Sequence, residues 1–242
     1  LHPRVRRQRQ MCIRDRTTCV GLAVQKYGKE NVITASLYYG QKHDKELQCA
    51  RKIAEYYGVG HIEEDISNVM KYAKDVCTLM KGGNEIEHKS YAEQIAENGE
   101  GRVATYVPFR NGLLLSIATA YADSLFPGEE VEVYYGAHAD DAAGEAYADC
   151  SPEFAKAMDE AISIGTYGKI HINRPLINMN KAGVVKTGLE IGVPYELTWS
   201  CYEGGEKACG TCGTCIDRIN AFKLNGVEDP IEYEDNSVKE LS

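Results

Sequence analysis

Apolar positions recur along most of this chain with the periods of an α/β protein. TTCVGLAVQKYG, from Thr17 to Gly28, has apolar residues at helical spacing and stops at a glycine. NVITASLYYG alternates and then runs apolar to Gly40, as a buried strand does. His43–Tyr57 reads as an amphipathic helix with Leu47, Ala50, Ile53 and Ala54 on one side, followed by a short strand in HIEEDIS. Beyond it come an apolar helix over Asn111–Ser124 and a strand in VEVYYGAH (131–138). A helix over Ser151–Ile164, a strand in IHINRPL and a helix over Lys181–Gly192 complete the series. Alternating strands and helices imply crossover connections, so the expected fold is a three-layer α/β domain with a mainly parallel sheet.

The two ends break the pattern. LHPRVRRQRQMCIRDR holds six arginines and one acid and has neither a strand nor a helix period. It reads as a non-native segment left by a disturbed upstream reading frame, and LHPRVRRQRQ is not expected to sit in a sheet centre. The tail beyond Gly226 is acidic and is expected to fray. The domain reading is therefore residues 1–16 aberrant, 17–195 the α/β domain, 196–226 a cysteine element and 227–242 an acidic tail.

Composition narrows the partners. Hydrophobic residues make up 43% and charged residues 26% of the 242 residues, which suits a globular chain. A net charge of −9 speaks against a nucleic-acid partner, and no apolar run is long enough to span a membrane. Nine cysteines, an odd number with four in one cluster, argue for a reducing cytoplasm over a disulfide framework.

That cluster is the strongest chemical signal. CYEGGEKACGTCGTC has the spacing C-x7-C-x2-C-x2-C, which brings Cys201, Cys209, Cys212 and Cys215 around one ion. Four thiolates leave no open position, so a structural Zn2+ is expected; an iron–sulfur cluster and plain buried or redox cysteines are the alternatives. YGQKH (39–43) ends a strand, where open parallel sheets bind ligands, so Gln41 and His43 are candidates for a pocket mouth. His43 otherwise caps the next helix. In PFRNGLLLS, Asn111 suits a helix N-cap and Arg110 a phosphate. GAHADDAAGEAYADC (136–150) offers Asp140, Asp141, Glu145 and Asp149 for a metal–phosphate or a heterocycle with N–H donors, unless these are solvated acids.

In this order the motifs TTC, YGQKH, PFRN, GAHADDAAGEAYADC, RPL and WSCYEGG–CGTC resemble the 7-cyano-7-deazaguanine synthases of the queuosine pathway, which are PP-loop ATP pyrophosphatases. The resemblance runs from about Thr17 to Phe222. It implies a Rossmann-like, adenine nucleotide alpha hydrolase-like fold. It also implies ATP-dependent, cytoplasmic conversion of 7-carboxy-7-deazaguanine and ammonia to the nitrile, with Mg2+ accompanying ATP, no nucleic-acid or membrane partner, and a homodimer as the expected assembly. Gln41, His43, Arg110, Asp140 and Asp149 would serve substrate and catalysis. Asp15, Thr17, Thr18, Arg110 and Asn111 would serve the nucleotide.

One departure is large. The family loop reads SGGxDSTTC after a hydrophobic strand. Here its serine and glycines fall on Met11, Cys12 and Ile13, and its second serine on Arg16. Glycines there let backbone N–H groups surround a pyrophosphate, which bulky residues prevent. The chain as written is expected to be inactive or nearly so. Two rivals stand beside this reading: another PP-loop ligase, and a non-catalytic zinc-stabilised binding protein.

Overall fold

A computed structural model describes residues 8–9, 13–83, 85, 86, 88, 93, 103–142 and 147–240. The strands are β1 (Gln8–Arg9), β2 (Ile33–Tyr38), β3 (Gly60–Asp65), β4 (Val131–Tyr135) and β5 (Ile170–Asn173). The helices are α1 (Ile13–Tyr27), α2 (Lys45–Tyr57), α3 (Ser67–Met70) and α4 (Arg110–Leu125). They continue with α5 (Ala139–Ala142), α6 (Pro152–Gly165), α7 (Lys181–Glu190) and α8 (Gly213–Lys223). The strand and helix series matches the sequence periods to within a few residues at each end. The helix over Gly213–Lys223 was not read from the sequence, because its first turn is also the end of the cysteine motif.

All strand pairs are parallel. β1 pairs with β4 and β4 with β5, while β2 pairs with β3 and lies against β1. The hydrogen-bonded sheets are β1-β4-β5 and β2-β3, and with β2 lying against β1 they follow the order β3-β2-β1-β4-β5, a doubly wound arrangement that switches between β1 and β4.

Strand alternation assigns the layers. Val131, Val133 and Tyr135 of β4 bury against Leu115, Ala118 and Ala122 of α4 and Ala155 and Ile162 of α6. Tyr134, on the opposite face, packs with Cys19 and Ala23 of α1 and Val184 of α7. Burying both faces of a parallel sheet requires helices on each side, which explains its apolar strands.

Both ends of the chain correct the sequence reading. Gln8–Arg9 forms a strand inside the sheet, in register with Tyr134–Tyr135, and α1 begins at Ile13, four residues before Thr17. The acidic tail does not fray at its base: Asp229, Ile231 and Tyr233 are buried. Asp229 pairs with the fully buried Arg218 through Nε at 2.6 Å and Nη2 at 2.9 Å, and Tyr233 donates its hydroxyl to the same carboxylate at 2.7 Å. A cation on α8 that cannot reach water draws the tail in to neutralise it. Among the described residues no helix is long and apolar enough to cross a membrane.

Candidate functional site

The cleft beyond β2 is built by a change of direction at Gly40. Its φ of +95° lets the chain leave the strand and run beside Leu79–Lys81, with Lys42 N–H donating to Leu79 O and Lys81 N–H to Gly40 O. Tyr39, Gln41, Lys42, His43, Glu46, Leu79, Arg110 and Tyr202 line the resulting space, whose empty volume is about 420 Å³.

Arg110 is fixed at the start of α4. Nη1 donates to the Tyr39 hydroxyl at 3.0 Å, and the guanidinium sits 5.4 Å from that ring's centroid. Burial works against its charge, but Tyr39, Asp149 and Glu46 hold it protonated and push its pKa up. Phe109 precedes it with φ 50°, a left-handed conformation rare for an aromatic residue, and Gly112 leaves room for the Phe109 ring, since a Cβ there would come within 2.4 Å of it.

Several polar atoms around this cleft are buried with no hydrogen-bond partner among the described residues: Gln41 Nε2, His43 Nδ1, Arg110 Nε and Asp149 Oδ1. Gln41 is held by its other end, Oε1 accepting from Tyr39 N–H at 2.9 Å. Orphaned buried donors and acceptors are costly, and their concentration around one cavity is the mark of a ligand site.

The remaining candidates divide. Asp149 stands behind Arg110 and caps α4: its Oδ2 accepts from Asn111 N–H at 3.0 Å. Burial raises its pKa against that N–H and the Arg110 charge. Asn111 is therefore not the N-cap. Phe109 holds that position, and Asn111 Nδ2 turns to the Asp149 carbonyl at 3.3 Å. His43 is not the cap of α2 either, a place taken by Asp44. Asp140 does not join the cleft. It is exposed, and its Oδ2 accepts from Lys181 N–H at 2.7 Å at the start of α7. Glu145 lies outside the described residues.

A second cluster lies at the switch point of the sheet. His138 Nε2 is 3.2 Å from Asp15 Oδ2 and 3.3 Å from Asp141 Oδ2, and Lys181 Nζ bridges Asp141 and Asp217. Burial lowers the His138 pKa, but the two carboxylates more than reverse this, so the ring is held towards its charged form. Asp15, Arg16, Thr17 and Thr18 are all buried, with Thr18 Oγ1 2.9 Å from the Tyr195 hydroxyl. Arg16 packs on Gly136, where an added Cβ would meet its Cγ at 3.2 Å. Arg16 thus stands beside the end of β4, near where a doubly wound sheet receives phosphates.

Cys201, Cys209, Cys212 and Cys215 present sulfurs that all lie within 4.8 Å of one another. Cys209 N–H points to Cys201 Sγ at 3.4 Å and Cys212 N–H to Cys209 Sγ at 3.3 Å, bonds that suit sulfurs carrying negative charge. The crowding splits their acidity. Hydrogen bonding from Cys201 lowers the pKa of Cys209 and of Cys212, the latter to about 6, while Cys201 and Cys215 are pushed up by their neighbours. A cation between the sulfurs would favour all four as thiolates, and their mutual spacing suits a single shared metal ion. This element also walls the cleft: Tyr202 lines it, Gly204 abuts His43, and Lys45 Nζ donates to Gly205 O at 3.0 Å.

Sequence reasoning missed Tyr39, Glu46 and Tyr202 in the cleft and His138 and Lys181 in the second cluster. Glu46 and Tyr202 carried one signal, their nearness to Gln41–His43 and to Cys201.

The fold and its clusters define a Rossmann-like α/β enzyme with a four-cysteine cluster, able to hold a metal, against a polar cleft. NMN synthetase from Francisella tularensis shares this fold, with a TM-score of 0.50 at 15% identity over 93% of this chain and 79% of that one. Residues 14–226 match the family of queuosine biosynthesis protein QueC. A relative from Psychromonas ingrahamii named 7-cyano-7-deazaguanine synthase is 43% identical, over 81% of this chain and 84% of its own. Another of that name, from Caldicellulosiruptor saccharolyticus, is 44% identical over 83% and 84%. The chain belongs to the queuosine biosynthesis protein QueC family.

Proposed function

We propose that this chain carries the substrate and metal machinery of an ATP-dependent carbon–nitrogen ligase that turns 7-carboxy-7-deazaguanine and ammonia into the nitrile. The observation that carries this reading is the set of orphaned buried polar atoms around the cleft, in a chain of this family. A carboxylate does not yield its oxygens to ammonia unaided. ATP supplies a nucleotidyl group that makes one oxygen a leaving group, ammonia then gives the amide, and a second activation lets the amide lose its oxygen.

Within that scheme the residues bind and orient. Arg110, held by Tyr39, offers a fixed cation to the acid's carboxylate and to the phosphate charge that replaces it. Gln41 and His43 bring buried polar atoms to the same cleft. Asp149 braces Arg110 by capping the helix that carries it. Asp140, in α5, accepts instead from Lys181 N–H at the start of α7. Zinc, a structural ion on the four cysteines, holds the wall that includes Tyr202. The eight described cysteines form no disulfide, which suits a reducing cytoplasm.

The nucleotide loop is where this chain departs. Asp15, Thr17 and Thr18 occupy the family positions, but the family's second serine is replaced by Arg16, buried against Gly136. The acid should therefore bind to the chain as written, while turnover should be almost absent. Calorimetry with 7-carboxy-7-deazaguanine tests the first statement, and failure to bind overturns the substrate reading. Nitrile formation followed by mass tests the second.

A further inference from the structure

Glu46 is the one carboxylate among the residues lining the cleft, and nothing in the activation chemistry above uses it. It stands in the first turn of α2, beside the segment that carries Gln41 and His43. Among the described residues its side chain has neither a hydrogen bond nor an ion-pair contact. Burial raises its pKa, against the attraction of Arg16, His43 and Arg110. Glu46 is half-buried in the cleft wall, and a carboxylate there without N–H partners gains when a ligand brings donors of its own.

The cleft as a whole specifies the ligand's pattern. Gln41 Nε2 and Arg110 Nε are buried donors without acceptors, Glu46 brings a half-buried carboxylate to the lining, and Tyr39 and Tyr202 add aromatic walls. A flat heterocycle matching this must carry two adjacent N–H donors on one edge and acceptors elsewhere. The N1–H and 2-amino group of a guanine-type ring form such an edge, and a carboxylate accepts from both at once. We infer that Glu46 is the specificity-determining residue of this site, reading the N1–H and 2-amino edge of a guanine-like acid. This rests on the substrate reading above and adds to it the residue that selects a 2-amino ring.

The test is calorimetric binding of two probes to the full chain, without ATP: 7-carboxy-7-deazaguanine and its analogue lacking the 2-amino group, 7-carboxy-7-deazahypoxanthine. The parent chain should prefer the 2-amino acid by roughly 10²-fold, the value of a charge-assisted hydrogen bond lost. Glu46→Gln keeps the volume but turns one acceptor into a donor. It should lose that preference while holding the analogue within a few-fold of the parent.

Equal binding of both acids by the parent overturns the inference, and this arm decides even where the variant fails to fold. A preference that survives in Glu46→Gln removes the role from Glu46 and leaves the substrate reading standing. Binding of neither acid by the parent removes the substrate reading itself, and the inference with it.

Discussion

His43 and Gly204 touch so closely that a methyl group on Gly204 would lie 2.3 Å from the imidazole Cγ. One residue follows the second strand, and the other belongs to the loop between the first and second cysteines of the metal centre. Their contact makes the metal element a wall of the cleft.

Gly204→Ala should therefore displace His43 and weaken the acid's binding by ~10-fold, at a stability cost of about 1–3 kcal/mol from overpacking and a φ of +68°. Gly168→Ala is the control. It carries the same kind of backbone strain at φ +75° with nothing within 4 Å of the added methyl, so it should lower stability and leave binding intact. Equal binding in both variants, measured by calorimetry, would detach the cleft from the cysteine loop.

Metal removal should act on the same wall. The purified chain should hold one zinc per protomer, and Cys212→Ser should lose it, with a lower Tm and a weaker grip on the acid. Elemental analysis reads the metal directly. Iron in place of zinc, or full zinc in Cys212→Ser, would sink the assignment. Cys49, which packs in the same core cluster, and Cys77 and Cys150 are not among the four gathered sulfurs, and serine at those positions should leave the metal count unchanged.

The pair between Arg218 and Asp229 should govern acid stability. Burial pushes the Asp229 carboxyl up, but Arg218 and the Tyr233 hydroxyl outweigh it and hold the pKa below the usual carboxylate range. With the folded value below the unfolded one, the stabilisation is complete above the unfolded pKa of about 4 and is lost as pH falls through the folded value. Asp229→Asn leaves Arg218 buried without its counter-charge and should cost ~3–5 kcal/mol at neutral pH. Denaturation curves across the acid range should show a shallower pH dependence in the variant than in the parent. An unchanged slope would mean the pair is not what acid breaks.

The nucleotide loop gives a gain-of-function test. A hydrophobic strand followed by Ser-Gly-Gly-Met-Asp-Ser, grafted in front of Thr17, removes the arginine over Gly136 and restores the backbone donors. Losing one preorganised donor typically costs about 10²–10³ in rate, so losing several leaves the parent almost silent. The grafted chain should form the nitrile from 7-carboxy-7-deazaguanine, ammonia, magnesium and ATP. Turnover by the parent would show that the loop is not broken, and silence from a folded, metal-loaded graft would count against the proposed reaction.

What the sequence determined by itself was what local order can carry. Strand and helix patterns hold because burial runs unbroken through Thr34–Leu37 of the strand and follows one face, Leu47, Cys49, Ile53 and Ala54, of the helix Lys45–Tyr57. The cysteine site is legible for the same reason: its four ligands lie within fifteen residues, and short glycine turns suffice to gather them. The ordered motifs likewise pointed to the family.

Tertiary structure alone decided what each acid does. Asp140 and Asp149 sit in one stretch of small residues and carboxylates, yet one meets Lys181 at the start of α7 and the other Asn111 at the start of α4. Nothing local separates them, because a carboxylate's role is set by the donor that packing brings to it. Glu46 and Arg110 line one cleft only because the fold carries α2 and α4 to it. The tail is the clearest case. Its acids read as solvated until Arg218, buried on α8 with no route to water, requires one of them inside.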